Sequence, residues 1–230
     1  MKIKHGMILA AGLGKRMQPI TLKTPKPLIQ VGNKNLLERA IELLINHGIE
    51  EIAINVHHLP DQIKDFINSK KYKAKIIIYD EQDKLLDTGG GILNATRSFK
   101  KPFLVVNPDT LWSDVYCNEL KELEDLYFKK KKPCLLLVNK NLSFDSSFKG
   151  DFNLHDGVIS RDNSNELIFT GLQILDESVF SSIKDKIFSM NKIWNYLIEN
   201  NSLAGNESKQ KFYHLNTKEM YDKISNLKIY

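Results

Sequence analysis

Several things are scarce in this chain, and each scarcity excludes something. Long apolar runs are missing: nothing approaches the ~18 consecutive apolar residues of a membrane-spanning helix. No membrane partner is therefore expected. Cysteine is nearly absent. The two that occur, Cys117 and Cys134, match neither a metal-ligand spacing nor a disulfide framework, and read as reduced, partly buried thiols. Residues Met1 to Gly6 run straight into the first strand signal, with too short an apolar stretch for a secretory leader, so the expected location is the cytoplasm. Internal repeats, low-complexity tracts and long linkers are missing too. The chain then reads as one domain over residues 1–230, and 42% hydrophobic content suffices for one large core.

Acidic residues are the minority charge, which leaves a net charge of +5. Much of that excess sits in Lys129-Lys130-Lys131-Lys132, between a helix signal and a strand signal, with no aromatics interleaved. Cations are favoured at a helix C-terminus, so the run reads as a solvated helix end. No nucleic-acid motif accompanies it, and no nucleic-acid partner is expected.

What is present is alternation. Short runs of Ile, Val and Leu mark strands near 4–10, 51–56, 74–79, 102–106 and 133–139. Helical periodicity lies between them: Leu36 to Ile45 closed by Gly48, then Ile63–Phe66–Ile67, Ile92–Leu93–Ala95, and Leu120–Leu123–Leu126–Tyr127. Strand–helix–strand repetition predicts a parallel sheet covered on both faces, with ligands at the carboxyl ends of the strands. After residue 140 the rhythm changes. A hairpin is expected at 150–154 and 157–159 around Asp156-Gly157, a strand at 166–175, helices near 177–182 and 192–200, a strand at Gln210–Leu215, and a last helix from Thr217. Residues 1–140 read as a nucleotide-binding half and 141–230 as an acceptor-binding half.

The chemistry begins where the first strand ends. Met7-Ile8-Leu9-Ala10-Ala11-Gly12-Leu13-Gly14-Lys15-Arg16-Met17-Gln18-Pro19 passes from apolar to small residues to cations, and Thr24-Pro25-Lys26-Pro27 supplies a third cation. Small residues let backbone N–H groups approach an anion, and successive N–H groups in a tight turn form a concavity for it. A Walker loop is excluded, because Leu9 stands five before Gly14 and Arg16 follows Lys15. A dinucleotide fingerprint is excluded by Met17. The pattern instead resembles the signature of the sugar-nucleotidyltransferases, L-A-A-G-x-G-x-R-[ML]-x-P followed by P-K-P.

That resemblance implies a three-layer αβα sandwich with a mostly parallel, Rossmann-like mixed sheet, the nucleotide-diphospho-sugar transferase fold. It implies a nucleoside triphosphate and a sugar 1-phosphate as substrates, held by Leu9, Ala10, Ala11, Gly12, Gly14 and Lys15, with Arg16, Lys26 and Asp109 as catalytic residues. The glycine triplet of Asp87-Thr88-Gly89-Gly90-Gly91 is costly in chain entropy, so close approach of a ligand or of backbone is expected there. In the family the matching segment lies against base and ribose, which implies contacts from Thr88, Gly89 and Gly90, with Gln82 reading the base edge. Asp109, closing the apolar strand Phe103–Val106, matches the family's Mg²⁺ ligand; Mn²⁺ is an alternative, and Asp114 a weaker acidic candidate. Gly150, Asp151 and Gly171 match sugar-binding positions, as does Asp109.

Two details refine the resemblance. Gly150-Asp151-Phe152 with Phe169-Thr170-Gly171 is similar to the N-acetylmuramate-1-phosphate uridylyltransferases of cell-wall recycling, and the family's common E-K-P is missing. UTP and N-acetylmuramate 1-phosphate are thus the first expectation. Mannose 1-phosphate with GTP, or glucose 1-phosphate with UTP or dTTP, is the alternative. The family's V-D-[IV]-G-T reads Tyr213-His214-Leu215-Asn216-Thr217 here, so its second metal-ligating aspartate is His214. Neutral imidazole suits transition metals better than Mg²⁺. That leaves open whether His214 binds metal or the acceptor phosphate, and whether the chain is a weak enzyme or a regulatory sugar-nucleotide binder. A monomer or small homo-oligomer is expected.

Overall fold

The strands alternate in the side they serve, and this sets the layers. In the computed structural model, which describes residues 2–82 and 84–227, nine strands form one sheet. They are β1 (His5–Leu9), β4 (Glu51–Val56), β5 (Lys75–Asp80), β6 (Phe103–Val106), β7 (Cys134–Asn139), β8 (Asn153–His155), β9 (Val158–Ser160), β10 (Leu167–Leu175) and β11 (Ala204–Ser208). Strands β2 (Gln30–Val31) and β3 (Lys34–Asn35) make a separate small hairpin. The helices are α1 (Leu36–His47), α2 (Pro60–Asn68), α3 (Asp87–Thr96), α4 (Cys117–Lys130), α5 (Met190–Glu199) and α6 (Lys218–Ser225).

Spatial order is β5-β4-β1-β6-β10-β7-β11-β9-β8. The pairs β5–β4, β4–β1, β1–β6 and β7–β11 are parallel, and β10 runs antiparallel between β6 and β7. Ile8, Ile52, Ile54, Leu104 and Val106 face α1, α2 and α4, whereas Met7, Ala53, Phe103 and Val105 face α3 and α5. Successive side chains of a strand point to opposite faces, so these continuous apolar runs fill two cores at once. The expected αβα sandwich is observed.

Local signals explain the element ends. The Asn35 side chain accepts from the Glu38 N–H at the start of α1, and Gly48 ends it at φ 99°. The Asp156-Gly157 turn has φ of 51° and 72°, the doubly left-handed geometry of a tight hairpin. One expectation fails. The strand lies at Ala204–Ser208, which carries Gly, Asn and Glu and lacks strand character, and not at Gln210–Leu215. The latter is extended but makes only single bridges, Ser143–Phe212 and Thr110–His214. Neighbouring β7 supplies the pairing that composition does not. The helix expected near 177–182 is a single 3-10 turn, Glu177–Phe180.

Among the described residues no helix is long and apolar enough to cross a membrane. Cys117 and Cys134 are free thiols, and burial pushes both upward in pKa, Cys134 to about 12.

Candidate active site

At the carboxyl end of β1 the backbone stops pairing. The Ala10 N–H donates to Asn55 Oδ1 at 2.9 Å, Asn55 Nδ2 donates to Glu81 Oε1 at 2.6 Å, and Glu81 Oε2 accepts the Leu86 N–H at 2.8 Å. This buried chain of polar groups locks three strand ends together. Beyond it, the N–H groups of Ala11, Gly12, Leu13 and Gly14 find no acceptor among the described residues. Gly14 sits at φ 61° with Thr21 closed against it, so a side chain there would strike Thr21 Cγ2 at 2.8 Å. Lys15 and Arg16 stand exposed on the turn Lys15–Met17 while Met17 is buried as its anchor. Neither cation has a partner among the described residues.

Ala11, Gly12, Gly14, Lys15 and Arg16 line one cavity of about 290 Å³, together with Leu9, Lys26, Thr88 and Asp109. Bare N–H groups and unpaired cations around a concavity constitute an anion site.

Asp109 is the node. Its Oδ2 accepts from Lys26 Nζ at 2.6 Å and lies 3.1 Å from His214 Nε2, while its Oδ1 is buried with no partner among the described residues. Burial raises its pKa, but Lys26 and then His214 overcome this and hold the carboxyl far below the usual range. The segment around His214 reaches Asp109 through backbone pairing: the Leu215 N–H donates to Asp109 O, and the Leu111 N–H to Tyr213 O. The imidazole lies between Phe212, stacked at 11°, and Phe148. Asp145 holds Asn216 by accepting from its Nδ2 at 3.0 Å, and Asn216 lines the cavity.

A second cavity of about 190 Å³ shares Asn107 and Asp109 with the first. Asp151, Gly171, Arg161, Asn191, Trp194 and His214 are among its walls. Asp151 also fastens β10, its Oδ2 accepting the Phe169 N–H at 2.9 Å. Gly171 has φ 93° and packs against Asn107, whose Cβ would lie 2.8 Å from an added methyl. The close neighbour expected there is Asn107.

Five expected or candidate ligand residues are placed differently. Gly89 and Gly90 belong to the first turn of α3 and donate to Phe188 O; added methyls would meet Phe188 Cε2 and Lys186 O, each at 2.3 Å. Their small size admits the 186–188 segment. Gln82 is exposed outside both linings, its N–H held by Asp80 Oδ1. Gly150 holds φ 85°, and an added methyl there would meet Asn165 O at 2.4 Å, so its small size serves backbone packing. Asp114 is bonded to Asn46, away from the cleft. Conversely, Asn55, Asn107, Asn216 and Arg161 line the cavities without having been expected. Of these only Asn55 and Asn107, polar residues closing apolar strands, leave a trace in the sequence.

Among the described residues no three His, Cys, Asp or Glu side chains cluster as a metal cage. One unpaired carboxylate oxygen beside a phosphate-sized cavity does suit a hard cation that takes its remaining ligands from phosphates and water.

Residues 5–140 match the model of a family described as nucleotidyl transferase. The chain is 28% identical over 211 residues to N-acetylmuramate alpha-1-phosphate uridylyltransferase of Caulobacter vibrioides, covering 88% of this chain and 87% of that protein. It is 30% identical to mannose-1-phosphate guanyltransferase of Debaryomyces hansenii, covering 86% of this chain and 57% of the relative. Among solved structures, UDP-glucose pyrophosphorylase complexed with UDP-glucose superposes with a TM-score of 0.78 at 22% identity, covering 97% of both chains.

Proposed function

The chain belongs to the nucleotidyl transferase family, and from that premise we propose that it is an enzyme joining a nucleoside triphosphate to a sugar 1-phosphate. The products are a nucleoside-diphosphate sugar and pyrophosphate. The observation that carries this reading is the meeting of two cavities at Asp109, one lined by bare N–H groups and cations, the other by aromatic and amide side chains.

An oxygen of the sugar phosphate attacks the α-phosphorus, the α–β bridge bond breaks, and pyrophosphate leaves with the bond's electrons. The attacking phosphate is already ionised at neutral pH, so no general base is required. Catalysis then reduces to alignment and charge neutralisation. Arg16 and Lys15, with the N–H groups of residues 11–14, hold the leaving β,γ-phosphates. Lys26 bridges the α-phosphate and the attacking phosphate. Asp109 keeps Lys26 aimed at this junction. Asp109 Oδ1 would hold Mg²⁺, which when bound neutralises charge on the phosphates. His214 contacts Asp109 through Nε2 and lines the acceptor cavity.

For the finer assignment we favour UTP and N-acetylmuramate 1-phosphate, on the likeness over most of both chains to the uridylyltransferase. Mannose 1-phosphate with GTP is the runner-up. The test is pyrophosphate release from each triphosphate with a panel of sugar 1-phosphates. Release with one pair supports the enzyme; binding of sugar nucleotides with no release from any pair assigns the chain to regulation instead.

A further inference from the structure

The acceptor-side cavity holds a cation that this scheme leaves unused. Arg161 follows β9 and lies over the Phe152 ring, its Cζ 4.4 Å from the ring centroid. Its Nε donates to Asp151 O at 3.0 Å, one terminal nitrogen to Asn195 Oδ1 at 2.8 Å, and the other to Asn191 Oδ1 at 3.1 Å. A guanidinium carries five N–H groups, so these bonds leave one on each terminal nitrogen. All three acceptors are neutral, and among the described residues Arg161 joins no ion pair. Partial burial works against its charge, and Asp151 opposes this only at longer range. A clamp between the hairpin and α5 needs no charge, because an amide side chain donates to carbonyls equally well. A half-buried cation bordering a cavity and paired with no anion calls for an anion from outside.

We propose that Arg161 is a specificity-determining residue that recognises a carboxylate borne by the sugar of the acceptor. The two oxygens of a carboxylate match one remaining N–H on each terminal nitrogen, the paired geometry that makes arginine selective for such groups. Asp109 and His214 line the same cavity, so the 1-phosphate and the carboxylate are read within one compartment. This rests on the nucleotidyl-transfer reading above, and the experiment separates the two.

Affinity and turnover are measured for N-acetylmuramate 1-phosphate, its carboxamide, which differs only in that charge, and glucose 1,6-bisphosphate, which offers a second phosphate instead. Calorimetry gives affinity and pyrophosphate release gives kcat/KM. The wild type is expected to bind the carboxylate ~10- to 100-fold more tightly than the carboxamide, and Arg161→Ala to reduce that ratio to about one with carboxamide affinity nearly unchanged. Arg161→Lys, which keeps charge but loses the fork, recovers part of the ratio. Equal wild-type affinities, a ratio that survives in Arg161→Ala, or tighter binding of the bisphosphate than of the carboxylate overturns the proposal; the wild-type comparison decides even where a variant folds poorly. Discrimination in binding without turnover keeps Arg161 in this role and removes the transferase reading. Turnover without discrimination does the reverse.

Discussion

The loop after β1 and the wall around β10 solve opposite problems. The loop leaves its donors empty: Ala11 to Gly14 offer N–H groups without acceptors, and Lys15 and Arg16 extend without partners among the described residues. The wall is braced by side-chain contacts, although Asp109 Oδ1, Asn107 Oδ1 and His214 Nδ1 stay without partners among the described residues. Lys26 and His214 converge on one oxygen of Asp109, Asp151 holds β10, and Arg161 grips two asparagines. A region proposed to take a triphosphate loses little stability by its emptiness, because its charges remain in water. A region proposed to shape an acceptor pocket must be fixed beforehand. Substitutions in the loop should therefore change activity alone, and substitutions at the junction or wall should change activity and stability together.

The largest effect is expected where the regions meet. Lys26→Ala should lower kcat by ~10²- to 10³-fold, and it also leaves the Asp109 carboxylate with His214 alone. Its Tm in thermal unfolding should fall as well. A Lys26→Ala protein with near-normal pyrophosphate release would break the assignment. Arg16→Ala should cost ~10²-fold in kcat with an unchanged Tm, since Arg16 is exposed and has no partner among the described residues. A clear drop in its Tm would contradict the contrast drawn here.

Gly171→Ala should show the opposite balance. The residue holds φ 93° against Asn107, so denaturant titration should show a loss of ~1–3 kcal/mol, with acceptor KM raised more than kcat is lowered. The smallest effect concerns pH. The folded pKa of Asp109 is depressed, so the stability it adds is fully present above the unfolded value of ~3.9 and is lost as pH falls from there toward the folded value. Urea unfolding from pH 5 down to 2 should therefore show the wild type losing stability more steeply than Asp109→Asn. Parallel curves would mean that the carboxylate is not held as described.

Reading the sequence reached further in one region than in the other for the same reason. The loop's signal is nearly contiguous: apolar strand, small residues, cations, then Pro25-Lys26-Pro27, all between Met7 and Pro27. The wall's residues are far apart in the chain and carry no shared pattern. Arg161 meets Asn191 and Asn195 only because the β8–β9 hairpin folds onto α5. The glycine triplet shows the limit from the other side. Its need for close approach was legible in Gly89-Gly90-Gly91, but the partner is the chain's own 186–188 segment together with Asn55 and Glu81.

By itself the sequence determined the alternating strands and helices, the two-faced core and the small-residue loop that leaves its N–H groups open, because each follows from neighbours within a few residues. Only the tertiary structure decided that Ala204–Ser208 rather than Gln210–Leu215 enters the sheet, that His214 arrives at Asp109, and that Arg161 faces a sugar-sized cavity. Strand pairing and side-chain contact across 30 to 105 residues depend on which surfaces the packed sheet brings together, and no local preference encodes that.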